Sequence, residues 1–257
     1  MNTVGRAGRN ILTLVASVVS VVAMPLMIYA QAGALLEVGK FSTVKAGGEF
    51  PEGWKPLTFK KIKRHTTYAV VEDADSLVVK AVSDASSSGL IREIQINPRE
   101  YPVVKWRWKV ANVLEKGDVS RKAGDDYPAR IYVTFAYDSS RVGFFEMAKF
   151  ETFRLFYGQY PPIGAINYIW ESKAPKGTVV PNPFTDRVQM VVVETGTKNL
   201  NVWVSEERNI YEDYKAIFKE EPPMISGVAI MTDTDNTGEA ATAYFGDIVF
   251  KKANVEG

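Results

Sequence analysis

The stretch 102–111, PVVKWRWKVA, alternates so regularly that only an extended strand accommodates it. Val104, Trp106, Trp108 and Val110 fall on one face. Val103, Lys105, Arg107 and Lys109 fall on the other. A row carrying two tryptophans is expected to fill a core between two sheets, an exposed stacking platform being the alternative, while a row of three cations stays near water. The strand therefore belongs to a sheet with one dry face, and a second layer has to cover that face.

The same period recurs along the chain. Strands are expected over 57–63, 67–72, 76–82, 89–96, 102–111, 129–138, 165–171, 187–194, 201–207, 226–232 and 242–251, with turn residues between them. Helical spacing appears twice, over 143–157 and over 210–219, the latter stopping ahead of Pro222-Pro223. The fold class that follows is all-β: an antiparallel β-sandwich of jelly-roll type with one or two short helices. A closed barrel is the alternative.

The N-terminus carries a different signal. Arg6 and Arg9 precede a charge-free run from Ile11 to Ala30, interrupted by Pro25 and followed by Ala30-Gln31-Ala32. This pattern is that of a secretory signal peptide over 1–30, cut after Ala30 or Ala32. The alternative is an uncleaved anchor, which would hold the protein at a membrane. Either way the expected location is periplasmic or secreted. Residues 31–50 are Gly- and Ala-rich and read as a linker or N-terminal arm. Residues 51–257 read as a single β-sandwich domain.

Composition removes several function classes. The chain has 31 Lys+Arg against 30 Asp+Glu, a formal charge of +1. Loss of Arg6 and Arg9 would make it −1. Neither value suits a nucleic-acid partner. With no cysteine and one histidine, disulfides, thiolate chemistry and Cys- or His-cluster metal sites are excluded. A nucleotide-binding loop or nucleophile-elbow motif is also absent from the sequence.

What remains is polar chemistry on a sheet. In 129–138, Arg130, Tyr132 and Thr134 oppose Ile131, Val133 and Phe135. If the strands bearing Arg107 and Arg130 are neighbours, two guanidinium groups and Tyr132 share a basic, aromatic-lined face. Such a face suits a carboxylate or vicinal hydroxyls. In Asn167-Tyr-Ile-Trp170-Glu171, amide, carboxylate and aromatic groups alternate, the residue types that hold sugars by stacking and hydrogen bonding. The expected ligand-binding residues are Arg107, Arg130, Tyr132, Asn167, Trp170 and Glu171. The segment Asp233-Thr-Asp235-Asn236-Thr-Gly is either an Asx-rich turn or a hard-cation site, with Asp233, Asp235 and Asn236 as calcium ligands. It departs from the EF-hand pattern, since Tyr244 stands where that loop needs Glu. Gly124-Asp125-Asp126 forms a second acidic turn. Arg208 and Asp213 flank a helix start and are expected to pair.

The stretches KWRWKV (105–110), AGDDYPARIYVTF (123–135), AINYIW (165–170), SEERNIYEDY (205–214) and GVAIMTDTDNTGEAATAYFGDIVF (227–250) together resemble a bacterial envelope family known only as domain of unknown function 3047. The resemblance implies an exported protein of unassigned activity and supplies no catalytic residue. The last stretch is also similar to the closing strand of galactose-binding-like jelly rolls and carbohydrate-binding modules. The function expected is therefore binding of a glycan or other polyhydroxylated or acidic envelope ligand. A polysaccharide lyase or glycoside hydrolase on the same scaffold, or a structural envelope protein without ligand, are the alternatives.

Overall fold

The computed structural model describes residue 1 and residues 35–143, 146–148, 150–151, 154 and 161–253. The expected signal segment lies outside the described residues. So does much of the expected helix over 143–157, whose described positions 146–148, 150, 151 and 154 are helical.

The elements are β1 (Leu35–Gly39), β2 (Trp54–Leu57), β3 (Thr67–Asp73), β4 (Ser76–Asp84), β5 (Ser87–Ile96), β6 (Val103–Val110), β7 (Ala129–Phe135), β8 (Gly164–Glu171), β9 (Val179–Asn182), β10 (Thr185–Thr195), β11 (Val204–Asn209), α1 (Ile210–Phe218), β12 (Ile225–Asp233) and β13 (Ala240–Lys251). They form two sheets. The first has the order β11-β6-β13-β4-β3, with β1 also paired to β13. The second has the order β2-β5-β12-β7-β8-β10-β9. The links β4–β5, β6–β7 and β12–β13 each cross between layers, which makes the architecture a jelly-roll β-sandwich. One pair departs from antiparallel order. β10 runs parallel to β8, because the chain leaves β8, passes along β9 and turns back.

The core lies where the expected dry faces meet. Trp106 and Trp108 of β6 face Tyr168 and Trp170 of β8, with ring centroids 5.3 Å (Trp106–Tyr168) and 6.0 Å (Trp108–Trp170) apart. Trp108 and Trp170 are fully buried. An aromatic burying about 150–250 Å² contributes about 4–6 kcal/mol before the loss of conformational freedom is counted. With no disulfide, this aromatic stack carries much of the stability. The expected helix 210–219 appears as α1, started by the Asn209 side chain, which accepts from the Glu212 N–H at 3.1 Å. Arg208 and Asp213 pair as expected, at 2.6 and 3.0 Å, and Tyr168 donates to the same carboxylate at 2.6 Å. That contact ties α1 to the end of the core.

Two readings need revision. The strand expected at 57–63 sits earlier, at 54–57, because the Trp54 indole anchors there by donating to the Val38 carbonyl at 2.9 Å. The segment 31–50, expected as a linker or N-terminal arm, contributes β1, and Phe41 just beyond that strand is fully buried. Its neighbour Ser42 donates to Asp247 through both backbone and hydroxyl, at 2.8 and 2.6 Å. This part of the arm is therefore built into the first sheet. Among the described residues, no helix is long and apolar enough to cross a membrane.

Candidate functional site

The outward row of β7 carries Arg130, Tyr132 and Thr134, and register places Asn167 of β8 opposite Tyr132. Arg130 is 3% exposed. Its Nε donates to Asp233 Oδ1 at 2.8 Å, and a second guanidinium nitrogen contacts Asp233 Oδ2. A third donates to the Tyr132 hydroxyl at 3.2 Å. The rings of Tyr127 and Tyr132 lie 4.8 and 5.7 Å from the guanidinium carbon. A charge this deep is tolerable only with its counter-charge in hand. Burial also pushes the Tyr127 hydroxyl well above its usual range, reinforced by Asp125.

Arg130 is thus consumed by the fold. This burial corrects the expectation that Arg130 meets a ligand's carboxylate; Tyr132 stays half-buried, its hydroxyl accepting from Arg130. Arg107 does not join them either: it lies on the outward face of the first sheet, on the opposite layer. Consecutive strands β6 and β7 fall in different sheets, so their outward rows diverge. Trp170 is on the core face and donates to the Gly196 carbonyl at 3.2 Å. Asn167 is fully buried, with its amide nitrogen 3.4 Å from Met190 Sδ. Glu171 accepts from the Val119 N–H at 3.2 Å and from the N–H groups of Lys173 and Ala174. It fastens the 111–128 loop rather than meeting solvent.

That loop decides what the second sheet exposes. Val119 and Tyr127 pack on Ile169, Met190 and Val192, covering the β8–β10 half of the outward face. Asn182 adds a clasp by donating to Asp125 at 2.9 Å.

The acidic turn beside Arg130 is the place to ask about a metal. Carboxylate oxygens of Asp126, Asp233 and Asp235 lie within 4.8 Å of one another. Burial, then Asp126, pushes the Asp235 carboxyl up. Donors already meet the other two. Asp126 accepts from the Asn236 amide at 3.1 Å and from the Thr237 N–H at 2.6 Å, while Asp233 holds Arg130. Asn236 therefore turns a donor, not an oxygen, toward the cluster. Calcium needs six to eight oxygens, and a guanidinium occupies the ground it would need. The residues fit an internally satisfied turn better than a calcium site. The melting temperature should be the same in millimolar calcium as in chelator. A site at 100 times its Kd would add about 2.7 kcal/mol, and a rise of several degrees would contradict this reading.

Among the described residues, nothing folds over the other half of the outward face. A groove of about 670 Å³ runs across β2, β5, β12 and β7. Ile91, Leu57 and Pro161 supply apolar surface, while Glu93, Gln95 and Thr134 supply polar groups. Lys55 and Glu93 pair across the strands at 2.9 Å, both about half exposed. Thr134 and Ser226 share a hydroxyl contact at 3.0 Å. Gly227, opposite Thr134, keeps the floor low: a Cβ there would meet Thr134 Oγ1 at 3.1 Å. The sequence reading missed these residues. The alternation of Ile91, Glu93 and Gln95 was a usable signal for their common face.

Among solved structures, the chain is similar to the carbohydrate recognition domain of Emp47p, at 10% identity and a TM-score of 0.43, covering 86% of this chain and 95% of that one. It is similar to the family 12 xyloglucanase from Bacillus licheniformis at 8% identity and a TM-score of 0.40, covering 86% and 93%. Against the Endo-D glycoside hydrolase domain of Streptococcus pneumoniae R6, identity is 9% and the TM-score 0.30; the match covers 79% of this chain but only 22% of that one. No curated protein matches the chain in sequence. Residues 52–249 match the family described as protein of unknown function (DUF3047), and the chain belongs to that family.

Proposed function

We propose that this protein is an exported glycan-binding β-sandwich whose sugar lies in the groove across β2, β5 and β7. The observation that carries the reading is the mixed lining of that groove. A pyranose ring presents apolar C–H faces and a rim of hydroxyls. Ile91, Leu57 and Pro161 offer surface to the first. Glu93, Gln95 and Lys55 offer acceptors and donors to the second.

The test is a glycan array run on the Glu93→Ala/Gln95→Ala double variant. Both residues are exposed, so the melting temperature should move little. Affinity for the sugars retained by the unaltered protein should fall about tenfold or more, given about 1–1.5 kcal/mol for each lost hydrogen bond. Undiminished retention would reject the groove as the site.

A further inference from the structure

The outward face of the first sheet carries a second constellation, independent of the groove. Arg107 lies flat between two surfaces. Its guanidinium carbon is 4.7 Å from the centre of the Trp203 ring. Its aliphatic arm crosses Gly246, where a Cβ would meet Arg107 Cγ at 2.5 Å and Nε at 2.6 Å. Glycine at 246 thus lets the arginine lie down, and Trp203 holds it there. Trp203 is itself fixed, since its indole donates to Asp73 at 2.9 Å.

Further cations surround this pair. Lys109 is 4.4 Å and Lys80 5.8 Å from the centre of the Tyr244 ring. Lys109 also pairs with Asp73 at 2.5 Å. Lys105 and Lys251 share one carboxylate, Glu207, at 3.0 and 3.3 Å. Among the described residues, neither Arg107 nor Lys80 forms an ion pair. Lys80, Lys105, Arg107, Lys109 and Lys251 therefore stand against Asp73, Glu207 and Asp247, the last already accepting from Ser42, in a chain whose overall charge is near neutral. A preorganised fork beside an aromatic ring, with an excess of positive charge around it, is complementary to a planar carboxylate carried on a sugar ring.

We propose that this wall is a binding surface for an acidic polysaccharide. Arg107 takes a uronate carboxylate, Trp203 and Tyr244 flank the sugar rings, and Lys80 neutralises a neighbouring acid group, while Lys109 stays paired with Asp73. Arginine matters here for its geometry as well as its charge. Lysine at 107 would keep the charge but lose both the fork and the stacking.

The probe is polygalacturonate, with its fully methyl-esterified form as the neutral control, titrated against the full chain in about 50 mM and about 300 mM salt. The proposal expects binding of the acid polymer alone, weakened several-fold at the higher salt. Arg107→Ala should weaken it about tenfold or more, Arg107→Lys should restore only part, and Lys80→Gln should cost a few-fold. Lys80→Gln provides a readout should Arg107→Ala disturb folding. The Glu93→Ala/Gln95→Ala groove variant should bind the polymer normally, which separates failure here from failure of the groove reading. Equal binding of acid and ester, or retention unaffected by both Arg107→Ala and Lys80→Gln, would overturn the proposal.

Discussion

Replacing Arg130 with methionine should cost about 3–5 kcal/mol of folding stability, read from the urea midpoint. The side chain removed is similar in length and apolar, so little cavity forms. The loss comes from what stays behind. Asp233 is 1% exposed and would be left buried without the guanidinium that meets both of its oxygens. A domain with 5–15 kcal/mol in total can lose a large fraction of its stability in this way. Adding Asp233→Asn to the same chain should recover part of the loss, because the orphaned charge is then gone. A single substitution costing under about 1 kcal/mol would show that the pair does not anchor this end of the β7–β12 ladder.

The second large effect concerns pH. Glu206 of β11 sits opposite Trp106 in the register. Its Oε1 is buried with no hydrogen-bond partner among the described residues. Burial pushes its carboxyl up to about 7, and Glu194 pushes it further the same way against the pull of Lys176 and Arg208. The folded state therefore keeps a proton that the unfolded chain releases near pH 4.5. Stability from this group is fully present below that point. It declines as pH rises and is lost once pH passes about 7. The melting temperature should consequently fall between pH 5 and pH 8, and Glu206→Gln should remove that fall because glutamine holds no titratable proton. At pH 8 the variant should melt above the unaltered protein. Parallel melting curves for the two proteins across this range would contradict the assignment.

Much of the fold was legible because its strands alternate. Val104, Trp106, Trp108 and Val110 announced a dry face, and that face is the core. The turn residues separated most strands correctly. β1 and β9 escaped because they are short edge strands of five and four residues, β1 held by pairing with distant β13 and β9 by a hairpin onto the next strand, β10, rather than by their own pattern. The site was less legible, for a definite reason. Alternation says which side chains share a face of one strand, but not which sheet the strand joins. Arg107 and Arg130 each point outward as expected, yet the crossing between β6 and β7 sends them to opposite layers. Nor does alternation say which outward rows stay wet. Asn167 and Glu171 lie on an outward row and are nonetheless buried, because the 111–128 loop folds over them. Ile91, Glu93 and Gln95 lie on another that no described residue covers so completely. Only the path of that loop distinguishes the two rows, and its path depends on long-range contacts such as Leu114 to Ser172 and Asn182 to Asp125.

The most direct test of the groove is a backbone-amide NMR titration of the protein with a panel of neutral oligosaccharides. At least one should move the resonances of Ile91, Glu93, Gln95, Thr134 and Ser226 more than any others, leaving the outward face of the first sheet still. A panel in which no oligosaccharide shifts these amides, or in which the shifts gather elsewhere, would contradict it.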